Sequence, residues 1–165
     1  MEREAKLVVL RGPSGAGKSS TARRLIELAE RPLALVEQDY YRGILYPKDE
    51  SHAKRAALIA AMTTRALTEG YDVILEGLLT MRSYGDCFEE IVSAHPNNNN
   101  FFYFDVSFDE TVERTKFKGE VAWTPDDMRE WYPTCTPTEY EGEIIVPEHL
   151  TLEAAVQQIK QVSGI

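Results

Sequence analysis

Gly12-Pro13-Ser14-Gly15-Ala16-Gly17-Lys18-Ser19 is the stretch on which the reading of this chain turns. It matches G-x-x-x-x-G-K-[ST]. In that pattern glycines let backbone N–H groups curl around phosphate oxygens, a lysine reaches the β- and γ-phosphates, and a hydroxyl ligates Mg²⁺. The flanks give the pattern its physical setting. Leu7-Val8-Val9-Leu10 comes before it, a short apolar run expected of a strand buried on both faces. Ser20 to Ala29 comes after it, with Ala22, Leu25, Ile26 and Ala29 spaced to share one helix face. A helix beginning there adds about half a positive charge at its N-terminus, where phosphates would lie. Gly12, Pro13, Ser14, Gly15, Ala16, Gly17, Lys18, Ser19 and Ser20 are therefore the candidate nucleotide-binding set. Lys18 is also a candidate catalytic residue, and Ser19 is the candidate metal ligand.

The chain of 165 residues suits one domain spanning 1–165, large enough to bury a core. Hydrophobic residues make up 43%, which excludes a disordered polymer. Lysine plus arginine number 18 against 27 aspartates and glutamates, a net charge of −9. That balance argues against a broad electrostatic grip on nucleic acid, though not against a local basic channel. Cys87 and Cys135 stand far apart, so neither a disulfide framework nor a zinc pattern is expected, and a reducing compartment is the simpler setting. His52, His95 and His149 have no metal-ligand spacing. The apolar run before Arg11 is too short for a signal peptide or membrane span, so a soluble cytoplasmic protein with no membrane partner is expected.

Apolar periodicity places the other elements. Leu33 to Val36 reads as a second strand, ending at Glu37-Gln38-Asp39. Asp39-Tyr40-Tyr41-Arg42 then leads into a loop holding Gly43 and Pro47. A helix is expected from about Ser51 to Glu69, with Ala56, Ile59, Ala60, Thr63 and Leu67 inward and Gly70 as its stop. Val73 to Leu75 is a third strand, followed by Glu76-Gly77. Tyr84 to Ala94 is helical with Phe88, Ile91 and Val92 inward. Asn97 to Asn100 reads as a surface turn, and Phe101 to Val106 as a fourth strand. Ser107, with Glu110 three residues on, has the spacing of a capping box. Thr124-Pro125 opens a short helix to about Trp131. A last strand, Glu143 to Val146, precedes a closing amphipathic helix from Thr151 to Gln161. Alternating strands and helices imply an α/β fold, a parallel sheet with helices on both faces and right-handed crossovers. Ligands of such sheets gather beyond the carboxyl ends of the strands. That rule nominates the glycine loop, Asp39, Arg42, Glu76 and the residues just after Val106.

Four stretches taken together resemble a known family. They are G-P-S-G-A-G-K-S at 12–19, D-Y-Y-R at 39–42, L-E-G at 75–77 and a basic helix-loop after the fourth strand. The pattern looks like the small P-loop kinases, nearest to the polynucleotide-kinase-like, chloramphenicol-phosphotransferase-like and zeta-toxin-like enzymes. In order of elements the resemblance covers nearly the whole chain. It implies the P-loop NTPase three-layer sandwich, a five-stranded parallel sheet in the order 2-3-1-4-5, and a lid after the fourth strand, within about 114–132 here. It also implies ATP and Mg²⁺ as cofactors, and transfer of the γ-phosphoryl group to an acceptor hydroxyl.

Each candidate is weighed against that chemistry, which needs in-line placement, charge neutralisation and an acceptor whose proton can leave. Asp39, at the end of a strand, is the candidate catalytic base; alone it would read as a turn-forming aspartate. Arg42 completes D-x-x-R, and its guanidinium fork suits an anionic group on the acceptor. Glu76 is placed to hold a Mg²⁺-bound water or the acceptor hydroxyl. Arg82 joins Asp39, Arg42 and Glu76 as a candidate substrate-binding residue. Arg114 is the candidate catalytic arginine of the lid, followed by Lys116 and Lys118, with Gly119 the expected hinge. The reading is an ATP- and Mg²⁺-dependent kinase acting on a small-molecule alcohol. The alternatives are a polynucleotide 5′-hydroxyl kinase, disfavoured by the acidic charge, and a nucleotide-binding switch with slow turnover. A switch needs the glycine loop but no acceptor base beside it.

Overall fold

The computed structural model describes residues 4–45, 52–118, 123–137 and 142–165. Its centre is β1 (Leu7–Arg11), whose five residues are all buried. It pairs in parallel with β3 (Asp72–Gly77) on one edge and with β4 (Asn99–Asp105) on the other. Adding β2 (Leu33–Glu37) beside β3 and β5 (Ile144–Pro147) beside β4 gives a parallel sheet of order β2-β3-β1-β4-β5. This is the order implied by the resemblance.

Side chains alternate across the sheet with period two, so each strand feeds two cores. Leu7 and Val9, with Val73 and Leu75, meet α3 (His52–Thr68) and α4 (Met81–Ala94) through Ile59, Ala60, Phe88 and Ile91. Val8, Leu10, Ile74 and Phe102 meet α1 (Lys18–Glu27) and α7 (Leu152–Ser163) through Ala22, Leu25, Val156 and Ile159. The inward stripe expected of α3 is buried throughout, whereas Ile26 of α1 is 38% exposed and belongs to neither core.

Four local expectations are corrected. Gly43, expected in a loop, lies instead in a short helix, α2 (Gln38–Ile44), which takes in 39–42 and starts directly from the end of β2, while Pro47 lies outside the described residues. The Gln38 side chain secures that start: its Oε1 accepts from Leu79 N at 3.2 Å, and its Nε2 donates to the Tyr84 hydroxyl at 2.9 Å. Asn99 and Asn100 belong to β4 rather than to a surface turn, because the ladder with β1 begins there, Leu7 opposite Asn99. Their amides are used locally: Asn99 Nδ2 donates to His95 O at 2.6 Å and Asn100 Nδ2 to Leu7 O at 3.3 Å. The helix α4 begins at Met81, three residues before the expected start. The Ser107–Glu110 capping box does not form at the start of α5 (Phe108–Thr115). Ser107 N donates instead to Glu148 Oε2 at 2.9 Å, while Glu110 accepts from Arg114 at 2.7 Å. A complete capping box stands at α6 (Pro125–Trp131), between Thr124 and Asp127.

Within the expected lid, α5 ends in a 3₁₀ turn, Lys116–Lys118, and α6 packs back on α5. Arg129 stacks on the Phe108 ring at 4.3 Å, and Met128 is buried. Gly119, the expected hinge, lies outside the described residues.

Phe88 is fully buried and packs edge-on against Phe101, ring centroids 5.5 Å apart. Phe88→Ala is expected to cost about 3–5 kcal/mol, read as a lowered urea midpoint with unchanged slope. A loss under about 1 kcal/mol would contradict this packing.

Candidate functional site

Loop 12–17 leaves the end of β1 and enters α1 at Lys18, at the carboxyl edge of the sheet. Its glycines at 12, 15 and 17 all have positive φ. Gly15 shows why no side chain fits. At φ 84° an added Cβ would lie 2.5 Å from the Thr111 carbonyl oxygen and 2.8 Å from Thr115 Oγ1. The loop is thus pressed against α5, leaving its other side to a ligand. Lys18 is buried, and its Nζ donates to Pro13 O at 2.8 Å, bridging the loop. Ser14 and Ser19 are half-buried and Ser20 is exposed.

Ser19 Oγ donates to Glu76 Oε1 at 2.9 Å, across from α1 to the end of β3. Glu76 is 5% exposed. Burial pushes its carboxyl above the ordinary value; Lys18 and the Ser19 hydrogen bond pull it back, while Glu37 and Asp39 push it further up. The register explains Glu37: β2 and β3 run in parallel with Glu37 opposite Glu76, so the two glutamates end adjacent strands side by side. Asp39 follows two residues later in the first turn of α2, exposed and within electrostatic reach of Glu76. A serine oxygen beside a buried carboxylate, next to a loop of inward N–H groups, is a donor set of hard oxygens that fits Mg²⁺ with phosphates. Among the described residues no cluster of three or more histidine, cysteine or acidic side chains forms a metal cage, and Mg²⁺ held largely by phosphate and water needs none.

The other candidates separate. Arg42 lies three residues after Asp39 on α2, a spacing that sets both toward one face of a helix; it is exposed, as is Arg82 at the start of α4. Lys116 is paired on the surface with Glu113. Arg114 is held by three oxygens: Glu110 Oε1 at 2.7 Å, Ala16 O at 3.0 Å and Glu148 O at 2.7 Å. It walls a cavity of about 420 Å³ behind the glycine loop, with Ala16, Val106, Phe117, Leu150 and Leu152 among its lining. The Phe117 ring at its rim is 89% exposed.

Sequence reasoning missed four residues here. Glu37 was passed over as a strand terminus, although its place opposite Glu76 follows once the strand order is known. Gln38 packs over Gly77, where an added Cβ would collide with the Gln38 side chain, so that glycine is required by a close approach. Arg11 and Cys135 are buried beside the loop, and nothing in their spacing marks them.

Loop and sheet together define a protein of the P-loop kinase class. The chain belongs to the AAA_33 family, an AAA domain, which matches residues 7–129. No curated protein matches the sequence. Among solved structures it is similar to a sugar kinase of Janibacter sp. at TM-score 0.74 and 18% identity, over 95% of this chain and 93% of that one. It is similar to a gluconokinase of Sinorhizobium meliloti at TM-score 0.69 and 19% identity, over 98% and 95%. It is also similar to the APS kinase CysC of Mycobacterium tuberculosis, solved with AMPPNP and APS, at TM-score 0.72 and 13% identity, over 98% and 99%. These likenesses concern the fold. No helix among the described residues is long and apolar enough to cross a membrane.

The raised carboxyl of Glu76 has a signed consequence. A native state that holds its proton more tightly than the unfolded chain loses stability as pH rises above the ordinary value of 4.5. Glu76→Gln removes that loss. In nucleotide-free protein the melting temperature of Glu76→Gln should gain on wild type as pH rises from 4.5 toward neutrality. A gap independent of pH would show that Glu76 is not desolvated.

Proposed function

We propose that the protein transfers the γ-phosphoryl group of ATP to a hydroxyl of a small molecule. The observation that carries the reading is the placing of two carboxylates beside the glycine loop, Glu76 near the end of β3 and hydrogen-bonded to Ser19, and Asp39 in the first turn of α2 just beyond the adjacent strand β2. A module that only binds nucleotide has no use for a carboxylate at Asp39.

In this reading the N–H groups of residues 12–19 cradle the phosphates, and Lys18 turns from Pro13 O to the β- and γ-phosphates. Ser19 and, through water, Glu76 would hold Mg²⁺, which when bound neutralises charge on the phosphate oxygens. Asp39 accepts the proton of the acceptor hydroxyl as its oxygen bonds to the γ-phosphorus and the bond to the β–γ bridging oxygen breaks, with ADP leaving. Glu76 is the less suited base, because its Oε1 is already engaged by Ser19. Arg42 and Arg82, exposed near the same edge, would meet polar or anionic groups of the acceptor. The cavity behind the loop would take the nucleobase, with Arg114 and Phe117 against its faces. The carboxylates at 37, 39 and 76 and the net charge of −9 weigh against a polyanionic nucleic-acid acceptor.

The test is ADP formation with Mg·ATP across sugars, nucleosides, other small alcohols and 5′-hydroxyl oligonucleotides. On the acceptor so found, Asp39→Asn should lower kcat by roughly 10²-fold or more, with ATP affinity nearly unchanged. Full activity of that variant would remove Asp39 from the reaction.

Arg114→Ala separates two roles. As a wall of the nucleobase cavity, Arg114 should show its loss as a raised KM for ATP with kcat nearly kept; a fall in kcat alone would place its action in the transition state.

A further inference from the structure

The β1 strand ends on a charge that is fully buried, and its register partners on the two neighbouring strands are Gly77 and Tyr103. Arg11, immediately before the glycine loop, is 0% exposed. It continues the parity of Leu7 and Val9, so its side chain emerges on the α3–α4 side of the sheet. Its Nε donates to Leu79 O at 3.2 Å, its Nη1 pairs with Glu143 Oε1 at 3.0 Å, and its Nη2 donates to Thr136 O at 2.8 Å. The face of the guanidinium lies 5.4 Å from the ring of Tyr103, its register partner on β4. Three segments distant in sequence thus converge on one side chain.

Each of those segments borders the site. Leu79 lies two residues after the end of β3 and is held at φ 45°, in the left-handed region, between Arg11 on its carbonyl and Gln38 on its N–H. That is strain for a buried leucine, and it persists because two side chains overdetermine it. Cys135 and Thr136 follow α6 and the 3₁₀ turn Tyr132–Thr134. Cys135 Sγ donates to Leu78 O at 3.4 Å, its carbonyl accepts from the Tyr103 hydroxyl at 2.8 Å, and the thiol lies within electrostatic reach of Lys18. The 135–136 segment therefore runs beside the phosphate lysine, across the carboxyl ends of β1, β3 and β4. The Glu143 side chain is 3% exposed, so the pair with Arg11 is buried. Replacing a buried ion pair by apolar groups of similar volume is often neutral or stabilising, so what such a pair contributes here is position rather than stability.

We propose that Arg11 is a positioning residue for phosphoryl transfer: it staples Thr136 and Glu143 to the strained turn at Leu79, and so fixes Cys135 and Thr136 as a roof that keeps water from the γ-phosphate. This rests on the kinase reading above. A guanidinium suits the task because its fork donates in three directions at once, which an ammonium cannot match with the same geometry. Without the roof, water competes with the acceptor hydroxyl and takes the phosphoryl group, giving ADP and inorganic phosphate.

Cys135 reports on the roof directly, and Cys87, buried in the α4 core with its thiol pushed up to about 12, is an internal control. The experiment compares wild type, Arg11→Lys and the double variant Arg11→Met/Glu143→Leu, which leaves no buried charge unpaired. Three quantities are read: thiol labelling of each cysteine mapped by mass spectrometry, the Kd for Mg·AMPPNP, and ADP formation from Mg·ATP with no acceptor added. The double variant is expected to label Cys135 about tenfold faster or more, with Cys87 unchanged. Its acceptor-free ADP formation should rise by about tenfold while the Kd stays within about threefold of wild type. Arg11→Lys, which keeps the charge but not the fork, should fall between the two. Cys135 labelling as slow as in wild type would overturn the inference, as would equal acceleration of both cysteines or a Kd weakened in step. A wild-type protein that binds no Mg·AMPPNP would overturn the kinase reading instead.

Discussion

Everything functional here depends on the constraint placed on β1. It is hydrogen-bonded on both edges and covered on both faces, so none of its five residues reaches water. A strand so confined has one exit for function, the turn beyond its carboxyl end. That turn is the glycine loop, pressed against α5 so closely that residue 15 has no room for a Cβ. The loop's shape is therefore set by the sheet beneath and the helix beside it, and a phosphate group would meet N–H groups already aimed.

The same geometry brings the acidic groups together. Glu37 and Glu76 are register partners because β2 and β3 start together, Leu33 opposite Asp72. Burial makes Glu76 reluctant to ionise, and the Ser19 hydroxyl and Lys18 restore part of what burial removes. One carboxylate is thereby tied to the glycine loop and another, Asp39, is left open to solvent on α2. Two acids in unlike environments are suited to unlike tasks.

Two arginines tie neighbouring segments to the glycine loop and to the strand that leads into it. Arg114 reaches the Ala16 carbonyl from α5, and Arg11 reaches the Thr136 carbonyl from β1. A ligand that moves the loop would therefore be felt both at α5 and at Thr136, a short physical path with named bonds.

Local pattern was enough to make the fold legible. The apolar run at 7–10, the glycines and Lys18-Ser19, and the 3.6-residue stripe of Ala56, Ile59, Ala60, Thr63 and Leu67 each specify an element through short-range chemistry that any tertiary setting would respect. Glu76 was legible as a strand-end carboxylate for the same reason, and Asp39 as a carboxylate close after the second strand, though not as part of a helix. Where short-range signals competed, pairing decided. Asn99 and Asn100 are poor strand formers, yet they join β4 because β1 offers a ladder there. The D-Y-Y-R stretch became helical because Gln38 found partners 41 and 46 residues away. Glu110 lost its capping role to Glu148, another long-range partner. Arg11 lay beyond sequence reasoning altogether: an arginine after four apolar residues reads as the point where a strand meets water. Only folding brings Leu79, Thr136 and Glu143 within reach of it, and a buried charge is tolerable only where such partners converge.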